Sequence, residues 1–237
     1  MKTILVLFLI QIFLCFYQKN VVSKNIKFNI DGNMYTILYD KKKVKFSDLD
    51  LLKIMFHSNH IKHCGNSVIR YILKLSTKNL FQMDFVVKHI DITYNKVLKF
   101  DDKYKIIGAI TNYGNTSLRV SLFGVGNENK KISLNSFIKN KLSNNLELES
   151  QSDKNEENSI NEVLDNYDED NDDPINLSSK EIDQLKEEKN CAVYFIVHYT
   201  LVKVDKKGMK KNIKDQFKNE NSLIEIEQIE NLASALC

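Results

Sequence analysis

Five side chains that can move protons or bind a metal stand close together in the stretch VKFSDLDLLKIMFHSNHIKH. They are Asp48, Asp50, His57, His60 and His63. Carboxylates and imidazoles transfer protons, act as nucleophiles and ligate metal ions. Two interpretations follow: a histidine-based metal centre, or a site in which one aspartate and one histidine cleave an activated acyl group.

The metal interpretation receives little support. Three histidines on one short helical stretch rarely surround a tetrahedral ion unaided, and no CxxC or HExxH motif adds ligands. His60 and His63 are equally well explained as polar residues near solvent at a helix start. Asp168, Asp170 and Asp172 alternate as in a calcium loop, but the glycine and terminal glutamate of that motif are absent. We therefore expect no metal ion and no cofactor.

The apolar pattern predicts the elements that position these residues. Alternating apolar residues predict a strand over 33–46, and 48–54 connects it to the next element. From about 58 to 75 apolar residues recur at intervals of three and four, which predicts a helix buried on much of its circumference.

Strands dominate the rest of the chain. Three strand-like runs follow at 81–96, 102–114 and 116–126, and a fourth lies at 190–205. The tetrapeptide NYGN at 112–115 predicts a hairpin turn. The fourth run is apolar on both faces, which predicts a central strand covered by the helix on one side and by a second subunit on the other. The order indicates an α+β fold in which an antiparallel sheet wraps around one long helix.

Charge is unevenly distributed along the chain. The net charge is +3, but 147–188 contains sixteen acidic and three basic residues. The segment 130–189 has too little apolar surface to offset its ordering entropy, so we expect a disordered acidic insertion. The remaining basic body suits an acidic carrier protein or a phosphorylated cofactor. No Lys/Arg stripe interleaved with aromatic residues indicates nucleic-acid binding.

Residues 1–23 predict a cleavable signal peptide. A lysine precedes an apolar run, 4–16, that is shorter than the ~20 residues of a membrane span, and Val21-Val22-Ser23 suits signal peptidase. A membrane-retained anchor is the alternative; otherwise we expect no membrane span. The Lys/Asn-rich segment that follows is compatible with a bipartite address to an apicoplast-type plastid, and residence in the secretory system is the other destination.

The cysteines and the tail complete the local predictions. Cys64, Cys191 and Cys237 remain after the signal, an odd and widely spaced set that predicts no disulfide framework. Residues 216–237 predict a C-terminal amphipathic helix that begins with a capping box formed by Ser222 and Glu225.

The motif S-D-L-D-x-x-x-I-x-F-H-S-N-H-I resembles hotdog-fold acyl thioesterases of the 4-hydroxybenzoyl-CoA thioesterase and YbgC-like superfamily. Residues 90–122 and 199–213 are similar to two later stretches of the same family. The resemblance implies a hotdog thioesterase-like domain over 24–129 and 190–215, forming a homodimer or homotetramer and acting on acyl-CoA or acyl-carrier-protein thioesters.

The resemblance also implies roles for particular residues. Asp50 falls on the family's catalytic aspartate, a general base or nucleophile, and His57 falls on its histidine. Backbone N–H groups near His57 and Ser58 would form the oxyanion hole. Asn59 falls on the family's asparagine. Lys53 is a candidate for substrate contact on positional grounds only.

The sequence departs from the family at two places. The family's glycine pair is Leu52-Lys53 here, and its proline is Val97. Bulkier residues in place of the glycines are expected to close the slot or change the substrate. A catalytically weak acyl-binding or scaffold protein is therefore the alternative function. Lys41, Lys42 and Lys43 are further candidates for contacts to phosphate.

Overall fold

A computed structural model describes residues 23–76, 84–127, 164, 173–188 and 190–237. The strands are β1 (Lys24–Ile30), β2 (Asn33–Lys43), β3 (Phe85–Tyr94), β4 (Lys103–Tyr113), β5 (Ser117–Asn127), β6 (Ile175–Leu177) and β7 (Cys191–Lys203). The helices are α1 (His57–Leu75), α2 (Ser179–Glu188), α3 (Asp215–Glu220) and α4 (Ile226–Ala235), and a 3₁₀ turn spans Phe46–Asp48.

All seven strands form one sheet in the order β3-β7-β5-β4-β2-β1-β6. Every pairing is antiparallel except the short parallel pairing of β1 with β6. The strand boundaries predicted from alternation agree closely with these bounds, and the NYGN turn joins β4 to β5 as expected.

Helix α1 lies on one face of this sheet. Its buried residues Cys64, Val68, Tyr71 and Ile72 are spaced i, i+4, i+7 and i+8, so they form one stripe. The stripe shares a core with buried residues of β2, β3, β4, β5 and β7. Five strands in the order β2-β4-β5-β7-β3 around one long helix are the hotdog fold, and the predicted fold is confirmed.

The opposite face of the sheet carries a second core. Ile107 of β4 and Phe123 of β5 share it with Ile229 and Leu232 of α4, and Ile182 of α2 joins from the side. We expected a second subunit to cover this outer face, but the chain's own helices α2 and α4 cover it.

Two segments form secondary structure that their composition did not predict. Ile26, Phe28 and Ile30 alternate along β1 and are fully buried, although the basic character of this segment suggested a targeting address. The segment 173–188 was assigned to the disordered insertion, yet it forms β6 and α2, because Ile175 and Ile182 supply apolar contacts to the outer core. Most of the rest of that insertion lies outside the described residues.

The C-terminal segment also differs from expectation. It forms two helices, and α4 begins after Glu225 without a side-chain cap, so the predicted Ser222–Glu225 capping box is wrong. Cys191 and Cys237 form a disulfide, which the odd cysteine count argued against. The bond joins the first residue of β7 to the last residue of the chain.

The region predicted to be a signal peptide lies outside the described residues, except for Ser23. Ser23 is fully buried, and its carbonyl accepts a hydrogen bond from Lys74 Nζ at 2.9 Å. Among the described residues, no helix has the length and apolar character needed to cross a membrane.

Candidate active site

A tight turn between β2 and α1 holds Asp50. Its Oδ1 accepts hydrogen bonds from the backbone N–H groups of Leu52 at 2.8 Å and Ile54 at 3.3 Å. Its backbone N–H donates to Ile54 O at 2.9 Å, and Lys53 N–H donates to Asp50 O at 3.0 Å. The carboxylate is therefore fixed by main-chain groups of its own turn, and no hydrogen bond found among the described residues engages Oδ2.

The backbone of this turn explains how it forms without a glycine at Leu52 or Lys53. Lys53 has φ of +61°, in the left-handed region that glycine adopts without strain. The chain thus keeps the turn while carrying a lysine, at some cost in backbone strain. Lys53 and the preceding Leu52 are both exposed.

An open cleft of about 380 Å³ lies beside this turn at the N terminus of α1. Asp50 and His57 both line it, so the structure brings the two predicted catalytic residues to one site. The remaining lining comes from the start of α1 and from the end of β3 and the residues after it: Ile54, Met55, His60, Tyr94, Asn95, Lys96, Val97 and Leu98.

The N terminus of α1 opens at this cleft. His57 is its first residue, and no side chain of the described structure caps the helix. Uncapped first-turn N–H groups and the helix dipole favour a negative charge there. Tyr94 Oη donates to His57 O at 3.3 Å, which ties the end of β3 to the helix start.

His60 lies beneath the cleft, although we considered a solvent position for it. The ring is 3% exposed and makes edge contacts with Tyr94 and Phe195, at centroid distances of 5.2 and 5.0 Å. Its Nδ1 is 3.3 Å from Phe56 O, and because a carbonyl only accepts, Nδ1 carries the proton. Burial lowers the pKa of this imidazole, with smaller effects in the same direction from the neighbouring histidines.

Asp48 braces the loop that carries Asp50. Its backbone oxygen accepts Phe56 N–H at 2.8 Å and Asn59 Nδ2 at 3.1 Å, so it fastens the loop to the start of α1. Its Oδ2 accepts Lys45 N–H at 2.8 Å. Asp48 is buried, and its contacts are those of a bracing residue.

His63 extends this bracing network into the core. Its Nδ1 is 2.6 Å from Tyr104 Oη, and its Nε2 lies 3.7 Å from Asp48 Oδ1. A neutral ring that accepts from Tyr104 therefore directs its N–H towards Asp48. Burial lowers the pKa of His63, and the Asp48 carboxylate opposes that effect.

The three residues predicted to bind substrate do not line the cleft. Ser58 and Lys53 are exposed, whereas Asn59 bonds to the loop at Asp48. The sequence patterns did not identify the cleft residues at the end of β3 and in the segment after it, which include Tyr94 and Lys96. A position for His60 near His57 could have been predicted from the sequence, because residues three apart on a helix lie on the same face.

The positional phosphate candidates on β2 are already engaged. Lys42 forms an ion pair with Asp40 at 2.8 Å, and Lys43 forms one with Asp101 at 2.6 Å. Lys41 is half-buried and also interacts within the fold. Over the described parts of the chain, no group of histidine, cysteine and carboxylate side chains is arranged to hold a metal ion. The calcium-loop aspartates lie outside those parts.

Fold and site together define a hotdog domain with a carboxylate at the N terminus of its central helix. No protein-family model matches the chain, and no curated protein matches it in sequence. Solved structures similar to it include a thioesterase-superfamily protein from Jannaschia sp. CCS1, with 11% identity, a TM-score of 0.47, and coverage of 81% of this chain and 86% of that one.

Two further similar structures are enzymes of known name. 4-Hydroxybenzoyl-CoA thioesterase from Pseudomonas sp. strain CBS-3 has 8% identity and a TM-score of 0.47, covering 78% of this chain and 98% of that one. An acyl-CoA hydrolase from Staphylococcus aureus has 10% identity and a TM-score of 0.44, covering 78% and 79%. The fold assignment rests on the strand order and the position of α1 described above.

Proposed function

We propose that this protein hydrolyses acyl thioesters carried on coenzyme A or on an acyl-carrier protein. The observation that carries the proposal is the convergence of Asp50, His57 and the uncapped N terminus of α1 on one open cleft. A thioester carbonyl is already electrophilic, so hydrolysis needs a positioned base or nucleophile and a site for the developing oxyanion.

Each part of the cleft has a chemical role in this proposal. Asp50 Oδ2 takes a proton from water as the water oxygen bonds to the carbonyl carbon; alternatively, Oδ2 attacks that carbon directly. The first-turn N–H groups of His57 and Ser58 stabilise the oxyanion. The carbon–sulfur bond then breaks and the thiolate takes up the proton held by Asp50. In the direct-attack alternative, this break leaves an acyl anhydride on Asp50, which a water molecule hydrolyses while giving a proton to the thiolate. The His57 ring orients the carbonyl or the water.

The departures from the family's glycines do not block this site. Leu52 and Lys53 are exposed and do not line the cleft, because the left-handed backbone at Lys53 turns this segment outward. An open cleft admits a thioester for binding as well as for hydrolysis, so measured turnover is what distinguishes hydrolysis from the alternative of a catalytically weak acyl-binding protein.

We also propose that the protein forms a homodimer through β3. This strand ends the sheet, and it pairs only with β7 among the described strands. Val86 and Val87 on it are 49% and 48% exposed. An exposed edge strand of ten residues is a ready surface for pairing with a second copy, and the cleft lies at the end of this strand.

The function is tested by Asp50→Asn in purified protein. Loss of a general base or nucleophile is expected to lower kcat for acyl-CoA and acyl-carrier-protein thioesters by about 10²-fold or more. Asp183→Asn, at an exposed position on α2, is the matched control and should retain activity. A full rate in Asp50→Asn would refute the assignment, and absence of hydrolysis across a panel of acyl lengths would favour the acyl-binding alternative.

A further inference from the structure

Five large apolar side chains on the two segments that form the cleft are exposed: Val97 lines the cleft, and the others lie on the segment 46–56 that contains Asp50. The five are Phe46, Leu51, Leu52, Phe56 and Val97, and we refer to them as the apolar rim. The two segments that supply them are joined, since Met55 N–H donates to Leu98 O at 2.8 Å and both of these residues line the cleft.

Packing within the fold does not explain why Leu51 and Leu52 of the apolar rim are apolar. Leu51 is fully exposed and Leu52 is 78% exposed, at the end of the turn that Asp50 holds. Neither residue belongs to the core on either face of the sheet. Phe46 is 74% exposed and contacts only the edge of the Phe100 ring among the described aromatic side chains. Two adjacent leucines on a rigid turn in water have no packing role in the monomer.

The charge around the rim is cationic. Residues 41–57 and 95–103 contain eight lysines and four aspartates. The aspartates are engaged: Asp48 and Asp102 accept backbone N–H groups at 2.8 and 2.7 Å, and Asp101 pairs with a lysine at 2.6 Å. Asp50 is held in its turn. The exposed charges next to the rim in sequence or by strand pairing are those of Lys45, Lys53 and Lys99.

We propose that the apolar rim docks on an anionic lipid bilayer. Leu51 and Leu52 enter the boundary between headgroups and acyl chains, and the flanking lysines meet anionic headgroups. A second copy is a poor occupant of the rim, since self-association would bring like charges together. Docking would place the cleft mouth against the bilayer. A long-chain acyl thioester would then enter the cleft from the membrane, a consequence that rests on the proposed function.

Vesicle co-sedimentation tests the docking. Purified protein is mixed, without substrate, with phosphatidylcholine vesicles that contain or lack phosphatidylserine. We expect binding to the anionic vesicles, and weaker binding in high salt as the lysine contribution is screened. The double variant Leu51→Ser with Leu52→Ser should bind about 100-fold more weakly, from roughly tenfold for each leucine. The control Met209→Ser removes another exposed apolar side chain, from the turn after β7, and should bind like the parent.

Equal binding by the leucine variant and its control would overturn the proposal. Absence of vesicle binding would also overturn it, and if light scattering then showed that the leucine variant had lost a dimer, the rim would be a contact between copies. Because no step of this assay needs turnover, inactivity towards thioesters leaves its outcome unchanged. Circular dichroism and a urea unfolding midpoint equal to those of the parent would confirm that the leucine variant is folded.

Discussion

Asp50 owes its position to main-chain groups rather than to a cation. Two backbone N–H groups from its own turn hold Oδ1, which leaves Oδ2 for chemistry at the cleft. Asp50 and His57 could be placed together from the sequence because they are separated by one turn and a helix start. Tyr94 and Lys96 could not, since they reach the cleft through the pairing of β3 with β7, and a long-range register has no local signal.

The buried imidazoles make stability depend on pH. Burial lowers the pKa of His60, His63 and His198 in the folded protein, whereas a histidine in the unfolded chain titrates near 6.5. As pH falls below about 6.5, the unfolded chain binds protons that the folded protein does not. The free energy of unfolding is therefore expected to decrease on acidification, measured by urea unfolding at a series of pH values between about 7.5 and about 5.

A single substitution identifies part of this effect. His63→Gln keeps a partner for Tyr104 but does not titrate, so its unfolding free energy should change less steeply over the same pH range. Stability that rises on acidification, or an unchanged slope in the variant, would show that burial of these rings does not control the dependence.

At the scale of elements, this chain differs from a sheet covered by a single helix, because helices also cover the outer face of its sheet. β7 is apolar on both sides, and that pattern predicted cover on both faces. The sequence did not predict that the C-terminal helix covers the outer face. Cys191 and Cys237, which tie the end of the chain to β7, are 46 residues apart and belong to no recognisable motif. β1 was missed because Asn25, Lys27 and Asn29 alternate with its apolar residues and give the segment a polar composition, although Ile26, Phe28 and Ile30 are fully buried.

The disulfide is expected to stabilise the docking of α4. Replacing both Cys191 and Cys237 by serine should lower the free energy of unfolding by about 2–4 kcal/mol, since closing this loop restricts the unfolded chain. Urea unfolding with and without dithiothreitol measures the effect. The reductant should destabilise the parent by a similar amount and leave the double variant unchanged. Equal stability of parent and variant without reductant would mean that packing alone holds α4.

For the whole molecule, the disulfide and the N-terminal strand bear on where the chain matures. A disulfide between widely separated residues persists in oxidising compartments, which supports our proposal that the chain enters the secretory pathway through its N-terminal signal. A plastid destination is compatible with the fold where processing spares β1. Under this proposal, the basic segment 24–30 acts as a targeting address before folding and as strand β1 of the sheet afterwards.

The position of the mature N terminus follows from the packing of β1. This strand pairs with β2 on one side and β6 on the other, and it buries Ile26, Phe28 and Ile30 completely. Each such side chain contributes about 1.5–3 kcal/mol, against a total stability of about 5–15 kcal/mol for a typical domain. A chain that starts at Ser23 should therefore fold, and one that starts at Asn33 should be unfolded or aggregated by circular dichroism and gel filtration. Mass spectrometry of protein recovered from cells should find an N terminus no later than Lys24, and a folded product that starts beyond Ile30 would show that β1 is dispensable.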